Sequence, residues 1–157
     1  SSDVEKKIIL IVSSDEKKQA LFSDYIRKNV SQAAVYSAAD GSEAWGKILR
    51  HPPHVVITDS TLSKLDTPRL IKTIIEERHL KQLAIIVSSP VPEDAMFLDE
   101  LVTHRLQYLS SESEHVFTSC LSRALTFAFQ RRNQEYNLRF VPAGDRLIRE
   151  GDKADFV

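Results

Sequence analysis

Cysteine is almost missing from this chain: Cys120 stands alone among 157 residues. An internal disulfide is therefore excluded, and so is a thiolate cluster able to hold a metal. Within the apolar pattern of Phe117, Cys120 and Leu121 the thiol reads as a small core group rather than a nucleophile. Glycine is scarce too, at four residues. The first hydrophobic run leads into serines, not glycines, which argues against a nicotinamide-binding sheet, whose tight turn lets the backbone approach a pyrophosphate. No apolar run approaches the ~20 residues needed to cross a bilayer, and no signal segment opens the chain. A cytoplasmic protein with no membrane partner is expected. Charge of one sign is also lacking, since 21 basic and 22 acidic residues leave a formal charge of -1. That balance creates no general field for DNA, RNA or an acidic membrane, so no nucleic-acid partner is expected.

What the chain does have is enough apolar material, 42% of its residues, to fill one substantial core. Short apolar runs alternate with amphipathic stretches, the pattern of a doubly wound α/β domain with helices on both faces of a five-stranded parallel sheet. Ile8 to Val12 reads as the first strand, and Ser14 or Asp15 can cap a helix carrying Leu21/Tyr25 and Phe22/Ile26 at four-residue spacing. Ala34 to Ala38 is a weaker second strand; Asp40-Gly41-Ser42 opens a helix with Ala44, Trp45, Ile48 and Leu49 on one face, and Pro52-Pro53 stops it. Val55 to Asp59 is the third strand. Thr67 and Pro68 read as cap and first turn of a helix with Leu70, Ile71, Ile74 and Ile75 as its stripe. Leu83 to Val87 is the fourth strand, residues 92–102 contain a short helix, and Leu106 to Leu109 is the fifth strand. A longer helix starts near Ser113, with Phe117, Leu121, Ala124, Leu125 and Ala128 on its apolar side.

Chemistry in such a sheet gathers beyond the carboxyl ends of the strands. The first strand runs into Ser13, Ser14 and Asp15, the third ends at Asp59, the fourth at Ser88 and Ser89, and the fifth at Ser110 and Ser111. Asp59 at a strand tip can accept a phosphoryl group, but that transfer also needs a metal and a cation to neutralise developing charge. The pocket expected here is hydroxyl-rich and mildly acidic, poorly equipped for a divalent cation that prefers several carboxylate oxygens.

This constellation resembles the receiver domain of two-component response regulators, over about residues 7–130. The resemblance implies the strand order 2-1-3-4-5, and it makes Asp59 in VVITDS the position that takes phosphate from a histidine kinase. Ser13 and Ser14 stand where the family has two magnesium-binding acids, with Asp15 an imperfect substitute. Ser88 matches the hydroxyl position, Tyr108 matches the aromatic switch position approximately, and Ser111-Glu112 replaces the lysine and its usual proline. With so few charges left, the resemblance implies a degenerate pseudo-receiver that regulates signalling through protein contacts and is not an enzyme. No bound cofactor is expected on this reading. The alternative is a phosphoacceptor with Asp59 as nucleophile, Mg2+ recruited by Asp15, and Ser88 orienting the phosphoryl group. Receivers commonly pair or meet effectors through the fourth strand, fourth helix, fifth strand and last helix. Met96, Phe97, Tyr108, Phe117 and Phe127 are the candidates there for a homodimer.

Beyond residue 130 the character changes. Residues 131–137 read as a linker or a prolongation of the last helix, and residues 138–157 carry FVPAGDRLIREGDKADFV. That segment resembles the start of a cyclic-nucleotide-binding β-roll, with Gly144-Asp145 and Glu150-Gly151-Asp152 in its turns. It lacks the later cassette that would cradle the nucleotide, so cAMP or cGMP binding is not expected of this fragment. A downstream effector domain in the same chain is the partner that the resemblance implies.

Overall fold

The first strand, β1 (Lys7–Val12), pairs in parallel on both of its sides, with β2 (Ala33–Ala38) and with β3 (Val55–Asp59). In the computed structural model, which describes residues 5–89 and 96–139, β4 (Ala84–Ser88) and β5 (Leu106–Leu109) complete a sheet of order β2-β1-β3-β4-β5. The side chains of residues 131–139 and everything in residues 140–157 lie outside that description. The cyclic-nucleotide-like segment therefore falls almost wholly beyond it.

Side chains alternate across a strand, so β1 feeds two cores. Leu10 and Val12 join Val56, Ile85, Val87 and Leu106 on one face. Ile9 and Ile11 join Val55, Ile57, Ala84, Ile86 and Leu109 on the other. Burial on both faces explains why these strands read as continuous apolar runs instead of alternating ones. The first core is closed by α2 (Gly41–Arg50) and α3 (Thr67–Glu76), through Ala44, Ile48, Leu70, Ile71 and Ile74. The second is closed by α1 (Glu16–Asn29) and α5 (Glu114–Arg139), through Phe22, Ile26, Phe117, Cys120, Leu121 and Ala124. A 3₁₀ turn, Arg78–Leu80, and the short α4 (Leu98–Val102) complete the elements among the described residues.

The helix starts follow capping chemistry. Asp15 accepts from the backbone amides of Lys17 and Lys18, and Asp40 accepts from that of Glu43. The third cap corrects the reading of Thr67. Asp66 caps α3 by accepting from Arg69, and Thr67 is already helical with Pro68 in the first turn. Its hydroxyl is drawn instead to the Asp59 carbonyl, 2.8 Å away.

Cys120 is buried, and burial pushes its thiol up to about 11, which suits a core group. Phe117 and Leu121 are core as well, each 1% exposed, with Phe117 stacked on Phe22 at 4.7 Å. Phe117 is thereby removed from the interface candidates. At the other end of α5, Phe129 stacks at 4.6 Å on His54, the residue just before β3. Because His54 marks the amino edge of the sheet, the turns after Phe129 run past that edge. The helix includes residues 131–137 and ends at Arg139.

Two glycines of α2 predict substitutions of opposite sign. A Cβ on Gly41 would lie 1.8 Å from the Leu65 carbonyl oxygen, so the β3–α3 loop would have to move. Gly41→Ala should lose about 1–3 kcal/mol of stability, as overpacking does. The nearest atom to a Cβ on Gly46 is the Arg50 guanidinium at 3.5 Å, so that site is open. Gly46→Ala should gain up to about 1 kcal/mol from helix propensity. Urea midpoints for the two variants, at unchanged slope, check both signs.

Candidate functional site

Parallel strands end on one edge, and the register decides which residues meet there. Val12 pairs with Thr58 and Asp59 pairs with Ser88, which itself lies level with Leu109. The residue after Val12, Ser13, is thereby brought beside Asp59. It is 1% exposed, its amide donates to the Ala38 carbonyl, and its Oγ donates to Asp59 Oδ2 at 2.6 Å. The same Oγ accepts from the Asp15 amide at 3.0 Å.

The other carboxylate oxygen meets a cation that sequence reasoning missed. Lys18, in the first turns of α1, places Nζ 2.8 Å from Asp59 Oδ1. Its second anion is Glu112, at 3.5 Å. Burial works against the charge of Lys18, but the hydrogen bond and charge of Asp59, reinforced by Glu112, hold its pKa above the ordinary 10.5. Asp59 thus has a compensating cation although Ser111 offers none. Ser111 and Glu112 follow β5 without a lysine, and an ammonium arrives from α1 instead. The signal available beforehand was positional: Lys18 lies three residues past the Asp15 cap, at the helix end that overhangs the strand tips.

Hydroxyls also hold the main chain of Asp59. Its carbonyl accepts from Thr67 Oγ1 at 2.8 Å and from Thr58 Oγ1 at 3.0 Å. The remaining sequence candidates are spread more widely. Ser14 is exposed. Asp15 turns its carboxylate to the α1 backbone, with Oδ1 3.0 Å from the Lys17 amide and 3.3 Å from that of Lys18. Ser88 is half-buried and level with Asp59 across the β3/β4 pair. Tyr108 packs on the α2/α3 side of the sheet and lines a small cavity of about 110 Å³ with Ser60, Thr67, Val87 and Phe97. Ser111 is exposed, and its Oγ accepts from the Ser113 amide at the start of α5.

These residues do not fit a divalent cation. Magnesium needs near-octahedral oxygen ligands, usually with one or two free carboxylates. Here Asp15 is committed to a helix cap and both oxygens of Asp59 are engaged. Hydrogen bonds to a charged group contribute roughly 1.5–3 kcal/mol each, and an incoming metal would have to displace them. Among the described residues, no group of three or more His, Cys, Asp or Glu is placed to hold a metal ion. None of the described helices is long and apolar enough to cross a membrane.

No known sequence family matches the chain, and no curated protein is similar to it in sequence. Its fold, in contrast, has many counterparts among solved structures. A chemotaxis response regulator of Vibrio cholerae is similar with a TM-score of 0.66 at 17% identity, over 77% of this chain and 100% of that one. The signal receiver domain of an HD domain-containing protein from Pseudomonas fluorescens gives a TM-score of 0.70 at 18% identity, over 85% of this chain and 97% of that one. The receiver domain of a signal transduction histidine kinase from Syntrophus aciditrophicus gives 0.63 at 13% identity, over 90% and 99% of the two chains. With the strand order and the helices on both faces, these likenesses give the chain the fold of response-regulator receiver domains.

Proposed function

We propose that this chain carries a signal-transduction domain of pseudo-receiver type, which acts through protein contacts and is impaired in aspartyl phosphorylation. One observation carries the reading: both carboxylate oxygens of Asp59 are occupied from within, Oδ2 by Ser13 and Oδ1 by Lys18. A nucleophilic carboxylate needs an accessible lone pair and a metal that screens the incoming phosphoryl charge. Both oxygens of Asp59 already carry a hydrogen bond that an incoming group would have to compete with, and its neighbours are not suited to magnesium.

The partners on this reading are proteins. The face of α4, β5 and α5 exposes Met96, Leu98 and Val102, at 50%, 57% and 74%. An apolar group of this kind on a surface marks an interaction site, and a homodimer through it is the assembly proposed. α5 then leads each copy toward residues 138–157 and an effector domain beginning there. On the alternative reading a histidine kinase phosphorylates Asp59, and the first test below separates the two.

Incubation with acetyl phosphate and Mg2+ should leave the intact mass unchanged, and beryllofluoride with Mg2+ should leave the chemical shifts around Asp59 unmoved. A stoichiometric adduct that disappears in Asp59→Asn would overturn the pseudo-receiver reading. Combining Lys18→Ala with Ser13→Asp, Ser14→Asp and Ser111→Lys should restore binding of the metal and the phosphoryl analogue, because it frees Asp59 and returns the missing charges.

Light scattering over a concentration series tests the dimer. A dimer at high micromolar protein that Val102→Glu converts to monomer is expected; a monomer throughout would exclude the assembly. Val102 is 74% exposed, so the substitution leaves the core intact.

A further inference from the structure

Lys18 has two anions, and they belong to different parts of the fold. Asp59 ends β3, whereas Glu112 lies in the loop between β5 and α5. The contacts are unequal. Asp59 lies 2.8 Å from the ammonium with 16% of its side chain exposed, while Glu112 lies 3.5 Å away with 49% exposed. The nearer, better-buried carboxylate experiences less solvent screening, so it decides where the ammonium sits. Glu112 then follows the ammonium. The pKa of Lys18 lies above 10.5, so the charge that joins them is present at neutral pH.

The loop that Glu112 occupies is also gripped by α1 directly. Tyr25 donates its hydroxyl to the Glu112 carbonyl at 2.9 Å, and Asn29 donates to the Glu114 carboxylate at 2.9 Å, with Lys28 3.4 Å from it. Glu114 is the first residue of α5. That helix continues across the sheet to the Phe129–His54 stack and on to Arg139, so its first turn is anchored at the β5 end and its later turns at the β3 entrance. Asp59 itself makes no hydrogen bond or ion pair with this loop among the described residues; its side chain meets Ser13 and Lys18.

We propose that Lys18 is a tethered cation that transmits the charge of Asp59 to Glu112, so that an ionised Asp59 holds the β5–α5 loop and the first turn of α5 against α1. Lys18 is on this account a positioning residue. The proposal stands apart from the phosphorylation reading, since it concerns the unmodified chain and would hold for a phosphoacceptor before its modification.

Hydrogen–deuterium exchange of the full 157-residue chain at neutral pH tests it. The readout is exchange over residues 110–117, referred to β2 and α3 so that global opening is recognised as a rise everywhere. Asp59→Asn should accelerate exchange in that segment several-fold, and Lys18→Gln should do the same. The double variant should be no faster than either single one, because both remove the same link. Lys18→Arg, which keeps a cation with similar reach, should restore slow exchange. Ser13→Ala perturbs the same carboxylate from its other oxygen and leaves the Lys18 pair in place, so it should leave the segment unchanged. Unaltered exchange in Asp59→Asn, or effects of Asp59→Asn and Lys18→Gln that simply add, would overturn the proposal. So would an effect of Ser13→Ala as large as that of Asp59→Asn.

Discussion

Four residues of β1 that water does not reach on either face, Ile9 to Val12, set the geometry of this domain. β1 lies between β2 and β3, and its alternating side chains are shared between two cores. Burial on both faces leaves little freedom in register, since a slip of one residue would exchange the two apolar sets and disturb both cores at once. Because β3 and β4 pair in parallel with the same orientation, the tips of all the strands fall on one edge. The placing of Ser13 beside Asp59 is therefore a consequence of hydrophobic packing and needs no attraction between the two groups. The hydrogen bond at 2.6 Å is formed by side chains that the sheet has already brought together.

The same packing explains how much could be read in advance. Strands buried on both faces leave unbroken runs such as Ile8 to Val12 and Val55 to Asp59, and their alternation with helical stripes pointed to the doubly wound sheet. Boundaries were less legible. Strand β2 is mostly half-buried, at an edge, and begins one residue earlier than its apolar pattern suggested. Thr67 looked like a cap because Pro68 follows it, yet Asp66 offers the stronger acceptor and Thr67 has another partner in the Asp59 carbonyl. Phe117 fitted an interface stripe as well as a core stripe. Only its placement between Phe22 and Tyr25, at 4.7 and 5.3 Å, decides for the core.

At the site, residues on strand tips were legible and residues reaching in from helices were not. Asp59, Ser13 and Ser88 follow from where strands end. Asp15 was recognised both as a cap and as a weak metal ligand, and its carboxylate serves the cap. Lys18 escaped notice because nothing in its local sequence separates it from Lys17, one position earlier. The helical rotation between neighbours turns one ammonium to solvent and the other to Asp59, and that rotation is fixed by Phe22 and Ile26 on the buried side of α1. A lysine's reach over some four carbons makes such a contact a tertiary fact, invisible to a local pattern.

Where the cation comes from also governs how the edge can respond to a ligand. A lysine in the loop after β5 would move with that loop. Lys18 instead stands on a helix capped by Asp15 and seated on the second core, so it has little travel. Its ammonium and the Ser13 hydroxyl already satisfy Asp59, and a preassembled polar cluster of this kind needs no incoming ion to complete it. A ligand can shift an equilibrium between two conformations only by the difference in its affinity for them. Where the carboxylate is satisfied before the ligand arrives, little difference is left for it to exploit. An edge assembled this way leaves an incoming ligand little to change at the Asp59 carboxylate itself.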